Sequence, residues 1–329
     1  MLRLSLTARC NLACPYCLPD GREPADLLNL SQRLQVVAAA VALGATSLRL
    51  TGGEPLLHPE LEALLEALQP LRQQGLREIA LTSNGTLLTA ARAQALREAG
   101  LDRITLSLDG ADGPSVARMA GLHDGAAGER ALGAVLAAIE HARAAGFEPT
   151  SGGLKLNAVI QRGINEDQLR PLAALARGRG LELRLIEYMD VGNRNGWSPE
   201  AVVPAAEMLE LIGRLWPLEP LGRVAGGTAS RWRYRDGGGV VAVVASVSQP
   251  FCGDCNRMRL TADGKMKNCL FSRSESDLLT ALRNGQDILP IIRENVAAKA
   301  KMLGGQFSAV PGQVHAEDIR NRSMIAIGG

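Results

Sequence analysis

The stretch LRLSLTARCNLACPYC, residues 2–17, joins an alternating strand pattern to three cysteines within eight positions. Successive side chains on a strand point to opposite faces, so Leu2, Leu4 and Leu6 share one face and Arg3 and Ser5 the other. Cys10, Cys14 and Cys17, spaced C-x3-C-x2-C, fall on the loop leaving the strand's carboxyl end. Working outward, β-rich runs recur at 2–7, 47–51, 78–82, 102–108, 154–160 and 181–187, and amphipathic patterns lie near 31–43, 59–74, 87–99, 129–145, 166–178 and 204–215. Ser31 is the expected N-cap of the first helix and Gly44 its stop. Six β-then-α units call for right-handed crossovers and a parallel sheet, yet they are too few to close an eight-stranded barrel. The expected fold is therefore α/β, an incomplete (β/α)6 TIM-like barrel with a smaller C-terminal α+β domain.

The expected division is a barrel over residues 1–217 and a C-terminal domain over 218–329. Near 218 the texture changes to Arg231-Trp232-Arg233-Tyr234, three glycines at 237–239, a valine-rich run over 240–247, and helices near 275–303. The glycine- and alanine-rich segment 110–130 reads as a loop.

Composition narrows the function. Of 329 residues, 46% are hydrophobic and 21% charged, with a net charge of +2, so this is an ordinary globular chain and any anion binding must be local. Aromatic residues at 3% are too few for the stacking platforms of single-stranded nucleic-acid binders, so no nucleic acid is expected. No apolar run approaches the length of a membrane span, so no membrane is expected and the chain is placed in the cytoplasm. Cysteines kept reduced there read as metal or redox ligands before disulfides.

All six cysteines fall into two triplets, the second being Cys252, Cys255 and Cys269 with spacing C-x2-C-x13-C. A structural zinc site closes with four ligands, and neither triplet has a histidine nearby. Three thiolates instead suit an iron–sulfur cubane with one iron left for a small molecule. A zinc ribbon borrowing His315 stays open for the second set.

Five cations each sit between apolar neighbours on strand-like runs: Arg3, Arg49, Lys155, Arg184 and Arg259. With helices covering the outside of a barrel, the leucines go outward and the cations into the lumen. Unless they pair with carboxylates such as Glu54, Asp109 or Glu187, their burial is costly until an anion joins them, and a triphosphate fits. Gly52-Gly53-Glu54-Pro55 follows the second strand and offers close backbone approach beside a carboxylate that can accept from an ammonium group.

The cysteine triplet with Tyr16 before its last member, together with Thr51-Gly52-Gly53-Glu54-Pro55, resembles the signature of the radical S-adenosylmethionine superfamily. Thr82-Ser83-Asn84-Gly85, the run Ile186–Gly192, the second triplet with Arg257-Met258-Arg259 inside it, and a terminal Gly328-Gly329 are similar to the GTP 3',8-cyclase family of molybdenum cofactor biosynthesis. The resemblance implies two [4Fe-4S] clusters, S-adenosylmethionine contacts from Tyr16, Gly53, Glu54, Asn84, Ser107 and Met189, and GTP contacts from Arg3, Arg49, Thr82, Lys155, Arg184, Arg257, Met258 and Arg259. It implies that a 5'-deoxyadenosyl radical takes the ribose 3' hydrogen of GTP and that the carbon radical then attacks C8. It further implies a downstream cyclic pyranopterin monophosphate synthase, a homodimer, and a Gly-Gly tail reaching the active site; the electron donor is left unknown. The competing enzyme reading is a radical S-adenosylmethionine maturase with an auxiliary cluster and another substrate. The competing non-enzymatic reading is a zinc-stabilised binding module.

Overall fold

The computed structural model describes residues 1–17, 23–191, 195–272 and 274–303. Six strands, β1 (Leu2–Ser5), β2 (Ser47–Thr51), β3 (Glu78–Ser83), β4 (Arg103–Ser107), β5 (Leu154–Ile160) and β6 (Glu182–Glu187), alternate with helices. The main helices of this part are α1 (Leu30–Ala42), α2 (Leu61–Leu68), α3 (Ala90–Glu98), α4 (Gly113–Ala120), α5 (Gly125–Ala144), α6 (Leu169–Gly178) and α7 (Ala205–Gly213). Leu2, Leu4, Leu48, Leu50, Leu81, Leu156 and Leu183 are buried in one hydrophobic core, each contributing roughly 1.5–3 kcal/mol by its removal from water. That outward leucine face turns the alternate residues of the same strands inward.

The C-terminal segment supplies β7 (Leu218–Arg223), β8 (Ser230–Tyr234), β9 (Val240–Val244), β10 (Met258–Leu260), β11 (Lys265–Lys267), β12 (Ser276–Asp277), α8 (Leu278–Arg283) and α9 (Leu289–Leu303). Its strands extend both edges of the same sheet, in the order β12-β11-β10-β1-β2-β3-β4-β5-β6-β9-β8-β7. β10 runs parallel to β1 and β9 parallel to β6, while β11, β12, β8 and β7 complete antiparallel flaps. The result is an incomplete barrel whose carboxyl ends gather the loops from both halves of the chain.

Two local expectations are corrected. The N-cap of α1 is Asn29, not Ser31: Asn29 accepts from Gln32 N at 2.9 Å and Gln32 reaches back to Asn29 N at 3.0 Å. Only a residue three positions before a Gln or Glu can close this reciprocal box, and Ser31 has Leu34 there. The 110–130 segment is helical, holding α4 and the start of α5. Asp112 caps α4 through Ser115 N at 2.8 Å, and Asp124 caps α5 through Ala127 N at 2.6 Å. Its glycine content reflects helix contact, because a Cβ at Gly128 would lie 1.8 Å from the carbonyl oxygen of Gly113.

Candidate functional site

A cavity of about 480 Å³ opens at the carboxyl ends of the strands, and all six cysteines stand on its wall as free thiols. The first triplet is held by the strand-exit loop itself. Gly53 N donates to Thr7 O and Glu54 N to Arg9 O, both at 2.8 Å, so the Gly-Gly-Glu-Pro turn is laced to the approach to Cys10. On the far side Ala13 N donates to Ala120 O at 3.0 Å. Gly121 ends α4 at φ +65, and a Cβ there would lie 2.1 Å from Ala13 O, so this glycine lets the cysteine loop seat against the helix end.

Around these thiols the polar groups form a fixed frame. Asn84 Nδ2 lies 3.8 Å from Cys10 Sγ and donates to Asn11 Oδ1 at 2.8 Å. Glu54 accepts from Leu56 N, Ser83 Oγ and Asn84 N, yet its burial raises its pKa to about 7. A carboxyl poised there ionises fully when a cation reaches it. Tyr16 donates to Asp109 Oδ2 at 2.7 Å, and Asp109, raised to about 6 by burial, also accepts from Val159 N at 2.7 Å. Ser107 and Met189 line the same cavity.

The second triplet sits on the loops around β10 and β11. Arg257 Nη2 donates to Cys255 Sγ at 3.0 Å, and its guanidinium lies 4.9 Å from the ring centroid of Phe251. Burial raises the Cys252 thiol, whereas at Cys255 the backbone N–H of Arg257 and the charges of Arg257 and Lys299 outweigh burial and lower it. Thiols with N–H···S contacts, as at Cys10 and Cys255, are the kind of donor an iron–sulfur cluster takes. No histidine stands on the cavity wall among the described residues. His315, Gly192 and the Gly328-Gly329 tail lie outside the described residues.

The same wall is also cationic. Arg3, Arg49 and Arg259 are register partners on adjacent strands and all face the cavity with Arg184 and Arg257. Burial, then neighbouring arginines, depress the pKa of Arg3 and Arg49, and bring Arg259 to about 10. Among the described residues, Arg49 Nε, Thr82 Oγ1 and Asn157 Oδ1 are buried without a hydrogen-bond partner, and all three residues line the cavity. Buried polar atoms are rarely left so unless a ligand or water meets them.

Two of the GTP-contact residues expected from the sequence stand off this wall. Lys155 is 8% exposed and pairs with Glu182 at 3.1 Å, and Met258 is buried in the hydrophobic core. Of the lumen cations, Lys155 and Arg184 pair with Glu182, and Arg103 lies 2.8 Å from Glu78. Glu187 instead accepts from Ala205 N and Val247 N, tying β6 to the start of α7 and the exit of β9. Sequence reading also passed over Glu23, which accepts from Thr7 Oγ1, Ala8 N and Arg9 N and clamps the cysteine loop from outside. Consecutive N–H groups aimed at one carboxylate leave no trace in residue spacing.

Residues 4–176 match the Radical SAM superfamily, and residues 181–304 match Molybdenum Cofactor Synthesis C. A GTP 3',8-cyclase of Synechococcus sp. (strain CC9605) is 60% identical over 89% of this chain and 87% of its own length. One from Xanthomonas axonopodis pv. citri (strain 306) is 43% identical over 100% of this chain and 96% of its own. Among solved structures, Streptococcus suis SuiB bound to S-adenosylmethionine superposes with a TM-score of 0.65 at 14% identity, over 88% of this chain but 64% of SuiB, a likeness of fold alone. Two consecutive family matches and identity sustained over nearly the whole length leave one conclusion: the chain belongs to the GTP 3',8-cyclase family of the radical SAM superfamily.

Proposed function

We propose that this chain is a radical S-adenosylmethionine lyase, a GTP 3',8-cyclase that converts GTP to (8S)-3',8-cyclo-7,8-dihydroguanosine 5'-triphosphate in molybdenum cofactor biosynthesis. The observation that carries the reading is one cavity lined by both cysteine triplets and by a set of arginines. Cys10, Cys14 and Cys17 hold the iron–sulfur cluster common to the superfamily. We further assign Cys252, Cys255 and Cys269 to a second [4Fe-4S] cluster that receives the guanine. S-adenosylmethionine, bound at the first cluster, supplies a 5'-deoxyadenosyl radical.

The protein's own part is to bind, orient and exclude water. Glu54 and the Gly53 backbone receive the methionine end of the cofactor, with the buried carboxyl taking its ammonium. Tyr16, fixed by Asp109, and Asn84, Ser107 and Met189 complete that pocket. Arg3, Arg49, Thr82, Arg184, Arg257 and Arg259 hold GTP, and each charge-assisted bond to phosphate contributes roughly 1.5–3 kcal/mol. Lys155 and Met258 act from behind this layer. The division into a barrel over 1–217 and a cluster- and GTP-binding region over 218–329, the Gly-Gly tail, a homodimer, and a cyclic pyranopterin monophosphate synthase taking the product belong to the same proposal. Six thiols needing reduction suit the cytoplasm; no helix among the described residues is long and apolar enough to cross a membrane.

Anaerobic reconstitution with iron, sulfide, reductant, S-adenosylmethionine and GTP tests the reading. It expects 5'-deoxyadenosine whose formation depends on GTP, with about eight irons per chain for two four-iron clusters. Cofactor cleavage indifferent to GTP, or no GTP affinity, overturns it.

A further inference from the structure

The lumen holds a charge arrangement built around a residue absent from its surface. Glu182 lies off the cavity wall, its side chain 6% exposed, and its carboxylate meets three cations. Oε1 accepts from Arg184 Nε at 2.7 Å and Lys155 Nζ at 3.1 Å, and Oε2 accepts from Arg231 Nη2 at 2.9 Å. Burial alone would raise this carboxyl, but Arg184 and Lys155 hold it at about 2. Topology makes the meeting possible: Arg184 on β6 faces Ala242 on β9, and Ala242 faces Arg231 on β8. Arg184 and Arg231 both line the cavity, and among the described residues Arg231 Nε is buried without a hydrogen-bond partner.

Among the described residues the charges here do not balance. Arg49, Arg103, Arg184, Arg231 and Lys155 share this part of the lumen, Arg103 with Glu78 and three of the others with Glu182, so five cations face two carboxylates. Arg184 also depresses the pKa of Arg49 and Arg103, so the group is one electrostatic unit. A surplus of three positive charges calls for a polyanion rather than a monophosphate. Because Glu182 stands behind its arginines, it makes no contact with the incoming anion, and its charge is offset by the three cations it pairs with.

We propose that Arg231 is a further ligand of the nucleotide's triphosphate and that Glu182 is its positioning residue, holding Arg231 of β8 and Arg184 of β6 on one wall as a phosphate clamp. The proposal rests on the GTP reading above. It makes a strand of the C-terminal segment a reader of phosphate number, opposite the arginines of β1 and β2.

Reconstituted holoenzyme, wild type and variant, is titrated anaerobically with GTP and with GMP. Arg231→Ala is expected to weaken GTP binding roughly 10- to 150-fold while changing GMP binding little, so that the preference for GTP collapses. Arg231→Lys recovers part of the loss, and Glu182→Gln raises KM for GTP with kcat retained. Glu182 keeps Arg184 and Lys155 in Arg231→Ala, so the variant has no orphaned buried charge, and an unchanged Tm checks this. Equal weakening of GTP and GMP, or no change in either, overturns the clamp. Wild-type holoenzyme that binds neither nucleotide overturns the GTP reading instead.

Discussion

Arg257 Nη2 lies 3.0 Å from Cys255 Sγ, which puts a fixed positive charge against one of the thiols assigned to the second cluster. Hydrogen bonds and charge at cluster sulfurs tune potential. Arg257→Met is expected to keep eight irons per chain, move the second cluster's midpoint potential to more negative values, and weaken GTP binding. A redox titration followed by electron paramagnetic resonance, with an iron assay, checks this; an unmoved potential would show that the arginine does not act on the cluster.

Gly121 sits where any side chain meets Ala13 O. Gly121→Ala is expected to cost roughly 1–2 kcal/mol from the left-handed backbone alone, with the steric clash in addition. The cysteine loop should lift from α4 and the first cluster should be lost first. Iron per chain should fall from about eight toward four, while the spectroscopic signal assigned to the second triplet persists.

Glu23 tests the same loop from its other side. Glu23→Ala leaves Ala8 N without its acceptor and Arg9 N with Thr7 Oγ1, at a cost of roughly 1–3 kcal/mol where water does not replace the lost carboxylate. Air-exposed protein should then bleach faster than wild type, whereas Glu23→Gln, which keeps an acceptor oxygen, should fall between them.

Lys155 gives a pH signature. Burial, with repulsion from Arg184, overcomes Glu182 and lowers its pKa from 10.5 to about 8. The two partners shift differently because Glu182 is favoured by more than one cation, whereas Lys155 has one carboxylate beside it and is repelled by Arg184 and Arg103. Below pH 8 lysine is charged in both folded and unfolded chains and the burial cost is present in full. As pH rises from 8 to 10.5 the folded form is neutral while the unfolded form still binds the proton, so this cost disappears and stability rises, by at most about 3 kcal/mol. Anaerobic denaturant unfolding should show the rise in wild type and not in Lys155→Met.

Six β/α units were legible because leucine alternation marks a strand whose two faces differ, and the helices between them carry apolar stripes. The 110–130 segment misled because glycine marks both turns and close helix contacts; Asp112 and Asp124, each three residues before the N–H it caps, were the available signal. At the site, the cysteines announced themselves by spacing, and the lumen arginines by sitting between leucines. Glu182 shows that same alternation with its sign reversed, an acid two residues before Arg184, but nothing local says that Arg231 joins it. That contact exists only because β9 lies between β6 and β8 in the sheet.

The pairing of β10 with β1 has a consequence for assembly. Met258 N donates to Met1 O at 3.0 Å and Arg259 lies beside Arg3, so β1 is completed by a strand far along the chain. During synthesis β1 must wait some 250 residues for this neighbour, its edge bare and its arginine row unfinished. A chain interrupted before β10 would carry the first three thiols on a sheet still open to self-association, so the three-residue strand that covers this edge is also the one that sets Arg259 beside Arg3.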